Sequence, residues 1–157
     1  MFSFVDCDYE LNTDLLKISL NDYLICKDSF SRFKYDHIHR STKMYFGLSY
    51  YDILIENFVI AEGWIDYKPF HILYDHKVAM SLRLEYLFKR KLICINQYND
   101  IVTWCYQLIT ASLLLRNLVI KYNISKDKNI LNIITQKCFE LQSQDRDFCS
   151  KLFGLIK

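Results

Sequence analysis

Glycine and proline are unusually scarce in this chain, which has three glycines and one proline in 157 residues. A fold with many β-strands needs a turn about every 8–12 residues, and these two residues form most such turns. Long helices joined by a few short loops need far fewer of them. The scarcity therefore predicts an all-α fold, and the length is that of one compact domain spanning residues 1–157.

The most apolar stretch, Ile101 to Leu115, predicts the central helix of this fold. Its fifteen uncharged residues would extend only about 22 Å as a helix, which is short of the roughly 30 Å hydrocarbon core of a membrane. Five polar residues also share one stripe of this helix: Thr103, Gln107, Thr110, Asn117 and Lys121. We therefore expect a core helix over about 101–122, with Leu108 and Leu114 contributing to its packing, and no contact with a membrane.

Start and stop signals indicate the helices that precede it. Thr13 is suited to cap one helix, and Ser49 opens a capping-box pattern before an Ile- and Val-rich segment that stops at Gly63. Pro69 favours the first turn of a further helix, which we expect to run to about Ile95. The β-branched and aromatic residues of 58–64 would suit a strand as an alternative.

Two more helices are predicted after the central one. Ser125 is suited to cap a helix with one apolar face, and a separate last helix carries Phe148, Cys149, Leu152, Phe153 and Ile156. The predicted total is six or seven helices around the central one.

Charges are unevenly distributed, although the net charge is only +2. Residues 1–28 carry six acids and two lysines, and residues 49–75 carry five acids and one lysine, so each segment has a net charge of −4. Residues 76–91 carry five bases and one acid, a net charge of +4. The charges either interleave on solvated helix faces or form one acidic and one basic face. So small a net charge does not by itself indicate nucleic-acid binding.

The six cysteines are Cys7, Cys26, Cys94, Cys105, Cys138 and Cys149. None of them forms a C-x-x-C pair, and the sequence does not begin with the basic and apolar pattern of a secretory signal. We therefore expect free thiols, no structural disulfide and a cytoplasmic protein.

Most chemistry-bearing motifs are missing from the sequence. It contains no P-loop, no G-x-G-x-x-G, no H-E-x-x-H and no paired-cysteine zinc signature, so no cofactor and no metal site are expected. His37 and His39 could ligate one metal only on extended or irregular backbone, because residues two apart diverge on a helix. They are interpreted, together with His71 and His76, as surface or capping residues.

One short motif resembles that of HEPN-family ribonucleases, which are small and all-helical. Arg32 and His37 are spaced as in the R-x(4–6)-H signature of that family. The resemblance implies that the arginine would steady the scissile phosphate while the histidine moves protons. The family usually has a polar residue after the arginine, where this chain has Phe33, and this ribonuclease activity is kept as an alternative.

Aromatic residues are concentrated among the acids of residues 44–75. Such rings either fill the core or lie at an interface, where Tyr and Trp bury a large rigid area and keep a polar group. We predict a surface over residues 45–67 that binds a protein partner with a basic site and repels nucleic acid. The residues predicted to form it are Tyr45, Tyr50, Tyr51, Asp52, Glu56, Glu62, Trp64, Asp66 and Tyr67.

A small motif-free domain with an acidic aromatic face resembles bacterial toxin-immunity proteins, including those of contact-dependent growth inhibition systems. The resemblance is one of overall profile, and it implies a non-catalytic inhibitor that docks on a cognate toxin, often a nuclease. Such proteins are commonly acidic overall, whereas this chain is slightly basic, so the acidity would be local. A poxvirus-type helical antagonist of host signalling is a second binding alternative.

Overall fold

The computed structural model describes residues 12–29, 45–60 and 63–156, which contain five α-helices and no strand. The helices are α1 (Thr13–Leu24), α2 (Tyr50–Ile60), α3 (Lys68–Lys89), α4 (Ile95–Ser125) and α5 (Lys128–Leu155), and a 3₁₀ helix, Gly47–Ser49, precedes α2. The predicted all-α class is confirmed. The predicted count of six or seven helices is too high for this part of the chain.

The helix count differs mainly because one long helix, α5, replaces two predicted ones. The polar residues 142–147 separate the two predicted apolar faces, but they contain neither glycine nor proline and the helix continues through them. Ser125 is the last residue of α4, and Asp127 caps α5 by accepting a 2.9 Å hydrogen bond from Asn129 N. The chain reverses at Lys126, whose φ of +56° is left-handed.

Helix α3 ends six residues before the predicted boundary at Ile95. Pro69 lies in its first turn as predicted, and Glu85 and Lys89 form an i,i+4 ion pair at 2.6 Å near its other end. A connection through Lys91, which is also left-handed, leads to Ile95 at the start of α4. No sequence signal for this turn is evident beyond the run of basic residues 89–91.

Helix α4 lies between α3 and α5 and contacts both, but α1 and α2 pack on α5, so the helices are not arranged around α4 as the sequence predicts. Its buried face includes Ile101, Cys105, Leu108, Leu115 and Val119. The predicted polar stripe faces solvent throughout. The predicted contribution of Leu108 to the core is confirmed, because this residue is 2% exposed. The same prediction for Leu114 is wrong, because Leu114 is 47% exposed. Within the described ranges, no helix combines the length and apolar character needed to cross a membrane.

Helices α1 and α2 both pack on α5, and Gly47 lets the 3₁₀ helix before α2 approach α1 closely. Gly47 has a φ of +55°, and a Cβ atom at this position would collide with the backbone of Tyr23 in α1. Ser49 then steadies the 3₁₀ helix, because its Oγ accepts a 2.9 Å hydrogen bond from Phe46 N and donates one to Phe46 O. This geometry places the start of α2 over the middle of α5.

Candidate functional site

The residues of the predicted surface that lie on α2 do not share one face of that helix. Two of them, Tyr50 and Tyr51, pack towards the interior of the protein. Tyr51 is fully buried, and its hydroxyl donates a 3.1 Å hydrogen bond to Asp145 Oδ2. Tyr50 is partly buried and donates to the carbonyl oxygen of Pro69 at 2.8 Å. Burial, with Asp66 nearby, raises the pKa of Tyr50 to about 12. The assignment of Tyr51 to a binding surface is therefore wrong, and Tyr50 chiefly joins α2 to the start of α3.

The two acids of α2 remain accessible on the other side of the helix. Asp52 and Glu56 are both exposed, and they lie on the same face of α2 because they are four residues apart. Gln142 of α5 lies 3.4 Å from Asp52, and the Tyr45 hydroxyl donates a hydrogen bond to Glu56. Asp52 and Tyr50 are about 200° apart around the helix, so the acids and Tyr50 face different neighbours. Glu62 lies outside the described residues.

The segment 63–67, which connects to α3, presents the other predicted residues. The Asn123 side chain of α4 is buried, and its amide makes two hydrogen bonds to the backbone of Ile65, accepting from N at 2.9 Å and donating to O at 2.7 Å. Ile65 is thereby held in the core while Trp64 projects outward, with 62% of its surface exposed. The ammonium group of Lys126 lies 4.9 Å from the centroid of the indole ring.

Tyr67 is exposed beside this indole segment, but Asp66 has a local role. The Asp66 carboxylate accepts a 3.0 Å hydrogen bond from Lys68 N and so satisfies one of the free N–H groups at the start of α3. Ile124, one residue after Asn123, is 81% exposed at the same end of α4. Trp64, Tyr67 and Ile124 thus place apolar surface near the end of α4. We call these three residues the Trp64 surface.

A buried polar cluster joins four helices, and sequence analysis missed it. Lys77 of α3 and Asp145 of α5, each 1% exposed, form an ion pair at 2.6 Å. The same carboxylate oxygen accepts hydrogen bonds from Tyr23 of α1 at 2.6 Å and from Tyr51 of α2. Lys77 also donates to the Tyr23 hydroxyl at 3.2 Å. Because these partners are 54 to 122 positions apart along the chain, no local motif could reveal them.

Burial shifts the pKa values of this cluster towards the neutral forms of its phenols and of the adjacent imidazole. Desolvation by burial, together with the negative charge of Asp145, raises the pKa of Tyr23 and of Tyr51 well above that of a free phenol. Desolvation and the adjacent ammonium of Lys77 lower the pKa of His76 to about 4. Near neutral pH the cluster therefore contains two neutral phenols, a neutral imidazole and one compensated ion pair. This arrangement fixes the positions of α1, α2, α3 and α5.

Thiols and metal ligands form no centre within the described ranges. Cys26, Cys94, Cys105, Cys138 and Cys149 are free, and Cys7 lies outside these ranges. Burial raises the pKa of the Cys105 thiol to about 11 and that of the Cys138 thiol to about 12. No three His, Cys, Asp or Glu side chains in the described part converge as metal ligands. Arg32, His37 and His39 lie outside it.

The chain matches no protein-family model, no curated protein and no solved structure.

Proposed function

We propose that this chain is a non-catalytic protein-binding domain, and that it acts as an immunity protein that neutralises a cognate toxin in the cytosol. The observation that supports this most is the exposed indole of Trp64 on a segment anchored to a buried asparagine. Tryptophan is among the residues most enriched at the energetic centres of protein interfaces. A large exposed ring on a fixed backbone segment is typical of a residue that anchors a partner.

The hydrogen bonds that anchor segment 63–67 should raise the affinity for a partner as well as fix the position of Trp64. Binding normally costs free energy to order the loops and side chains that make contact. The two hydrogen bonds from Asn123 order the backbone of Ile65 in the free protein, and Lys126 favours one position of the indole. The Trp64 surface therefore loses little conformational entropy when it binds.

Asp52 and Glu56 form a second, electrostatic part of the proposed interface. Both carboxylates are exposed on one face of α2, so they can attract a partner with a basic site before contact is made. Exposed charges of this kind change the association rate more than the final affinity. In this proposal Trp64 and Tyr67 provide the anchor, and the two acids guide the approach.

The test is co-expression of the chain with the protein that the adjacent reading frame encodes. If that protein is toxic to the host cell, the chain should restore growth and form a complex with it in stoichiometric amounts. Trp64→Ala should then weaken the complex by about 2 kcal/mol, which is about thirtyfold in Kd, mainly through faster dissociation.

Trp104→Ala provides the matched control. Trp104 is also partly exposed, and Lys151 lies 4.7 Å from its ring centroid, but it lies in the first half of α4, about six turns from Ile124 and Ser125. This variant should bind as tightly as the unchanged chain. Asp52→Asn with Glu56→Gln should lower the association rate and its dependence on salt. Equal affinity of all these variants, with the fold intact, would show that the partner binds elsewhere.

A further inference from the structure

A cavity of about 430 Å³ lies between α1, α3 and α5, and no residue of the Trp64 surface lines it. Its volume falls within the range of roughly 300–1,000 Å³ that is typical of small-molecule sites. The lining is mainly aliphatic and consists largely of Leu16, Leu20, Met80, Leu84, Leu87 and Leu152. A ligand that fills this space must therefore be largely hydrocarbon.

One cation lies on the wall of this cavity. The exposed Arg83 guanidinium has a 3.5 Å contact with Met80 Sδ. No carboxylate of the described residues lies within ion-pair distance of it. Lys77, the other nearby cation, is compensated by Asp145 and does not line the cavity. The cavity thus combines an apolar interior with one positive charge that has no counter-ion in the described part of the chain.

His76 provides a second hydrogen-bond donor to the same cavity. Its Nδ1 lies 3.3 Å from Lys77 Nζ, and because an ammonium group can only donate, Nδ1 must accept. The lowered pKa keeps the imidazole neutral, so its single proton is on Nε2. This nitrogen has no hydrogen-bond partner among the described residues, and the ring lines the cavity. His76 and Arg83 both line the cavity, and seven positions apart they lie on the same face of α3.

We propose that this cavity binds a straight-chain aliphatic carboxylate. The hydrocarbon chain lies among the leucines of α1, α3 and α5, and the carboxylate lies at Arg83 with His76 Nε2–H as a further donor. An aliphatic chain matches the apolar lining, and an anion matches the uncompensated guanidinium. A purely apolar ligand would make no use of either donor. A cationic amphiphile would be repelled by Arg83.

The direct test is calorimetric titration of the whole chain with octanoate, decanoate and dodecanoate below micelle-forming concentrations. Affinity should rise by about fourfold for each buried methylene group until the cavity is full. Decanoate should bind about tenfold more tightly than 1-decanol, and decylammonium should bind more weakly than both. Absence of carboxylate binding, or equal affinity for the three decyl compounds, would overturn the proposal.

Two variants locate the site. Arg83→Gln should remove the preference for decanoate over 1-decanol, whereas Arg146→Gln, at an exposed arginine of α5 outside the cavity, should leave it unchanged. Ser19→Phe should abolish binding, because Ser19 lines the cavity from an exposed position where a larger ring can fill it without disturbing the core. Equal weakening by Arg83→Gln and Arg146→Gln would mean that carboxylates respond only to surface charge. Undiminished binding in a folded Ser19→Phe variant would equally refute the site.

Discussion

Removing either member of the Lys77–Asp145 ion pair should destabilise the fold severely, whereas removing both should cost much less than the sum. Two unit charges 2.6 Å apart attract by about 6 kcal/mol at an effective dielectric constant of about 20. Desolvation of each buried ion costs several kcal/mol, so the intact pair contributes little net stability. A single substitution deletes the attraction but leaves the remaining ion desolvated. We expect Lys77→Met or Asp145→Asn alone to cost about 3–5 kcal/mol.

The double variant tests this reasoning more sharply than either single variant. The asparagine in Asp145→Asn keeps a carbonyl oxygen that can accept from the Tyr23 and Tyr51 hydroxyls, so combining this change with Lys77→Met leaves no buried charge at the two positions. The measurement is urea denaturation followed by circular dichroism, with the four proteins forming a double-mutant cycle. The free energy of unfolding of the double variant should be closer to that of the unchanged chain than the sum of the single effects predicts.

The exposed pair Glu85–Lys89 supplies a control with the same separation. Its nitrogen and oxygen atoms are also 2.6 Å apart, but the two side chains are 47% and 69% exposed. Lys89→Met should therefore leave the unfolding midpoint within experimental error, because solvent screens this pair. If Lys77→Met is as mild as Lys89→Met, or if the two effects in the cycle simply add, the argument from burial is wrong.

Three further predictions concern packing, pH and redox state. Leu108→Ala should lower the free energy of unfolding by about 2–5 kcal/mol, whereas Leu114→Ala, at an exposed position, should lower it by less than about 1 kcal/mol. Comparable losses for the two variants in urea denaturation would contradict the placement of α4. The pKa of His76 is about 4 in the fold against 6.5 when unfolded, so on acidification the unfolded state takes up the proton first. His76→Gln should therefore reduce the loss of stability between pH 6.5 and 4 by about 3 kcal/mol, and an unchanged pH profile would refute this. Added reductant should not lower the thermal midpoint, and a fall of several degrees would reveal a structural disulfide.

The sequence determined the helical class and the presence of the long core helix α4, because both depend on local composition and periodicity. A chain with few glycines and prolines cannot make frequent turns. The polar residues from Thr103 to Lys121 recur with a helical period, so the helix must turn this stripe towards solvent and its apolar residues towards the core. Pro69 likewise marked the start of α3, since its missing N–H is harmless in a first turn. These features need no knowledge of distant residues.

Tertiary contacts decided which aromatic residues of 45–67 are accessible. Tyr51 and Trp64 look alike in sequence as rings among acids, yet Tyr51 meets Asp145 in the core while Asn123 fixes the segment that holds Trp64 outside. Both partners come from helices more than 50 positions away, and burial depends on that packing. For the same reason the sequence could not predict the Lys77–Asp145 pair or the cavity beside His76, because each is formed by residues of different helices. Local pattern thus determined the helices, and the long-range packing of polar groups decided which surfaces they leave for binding.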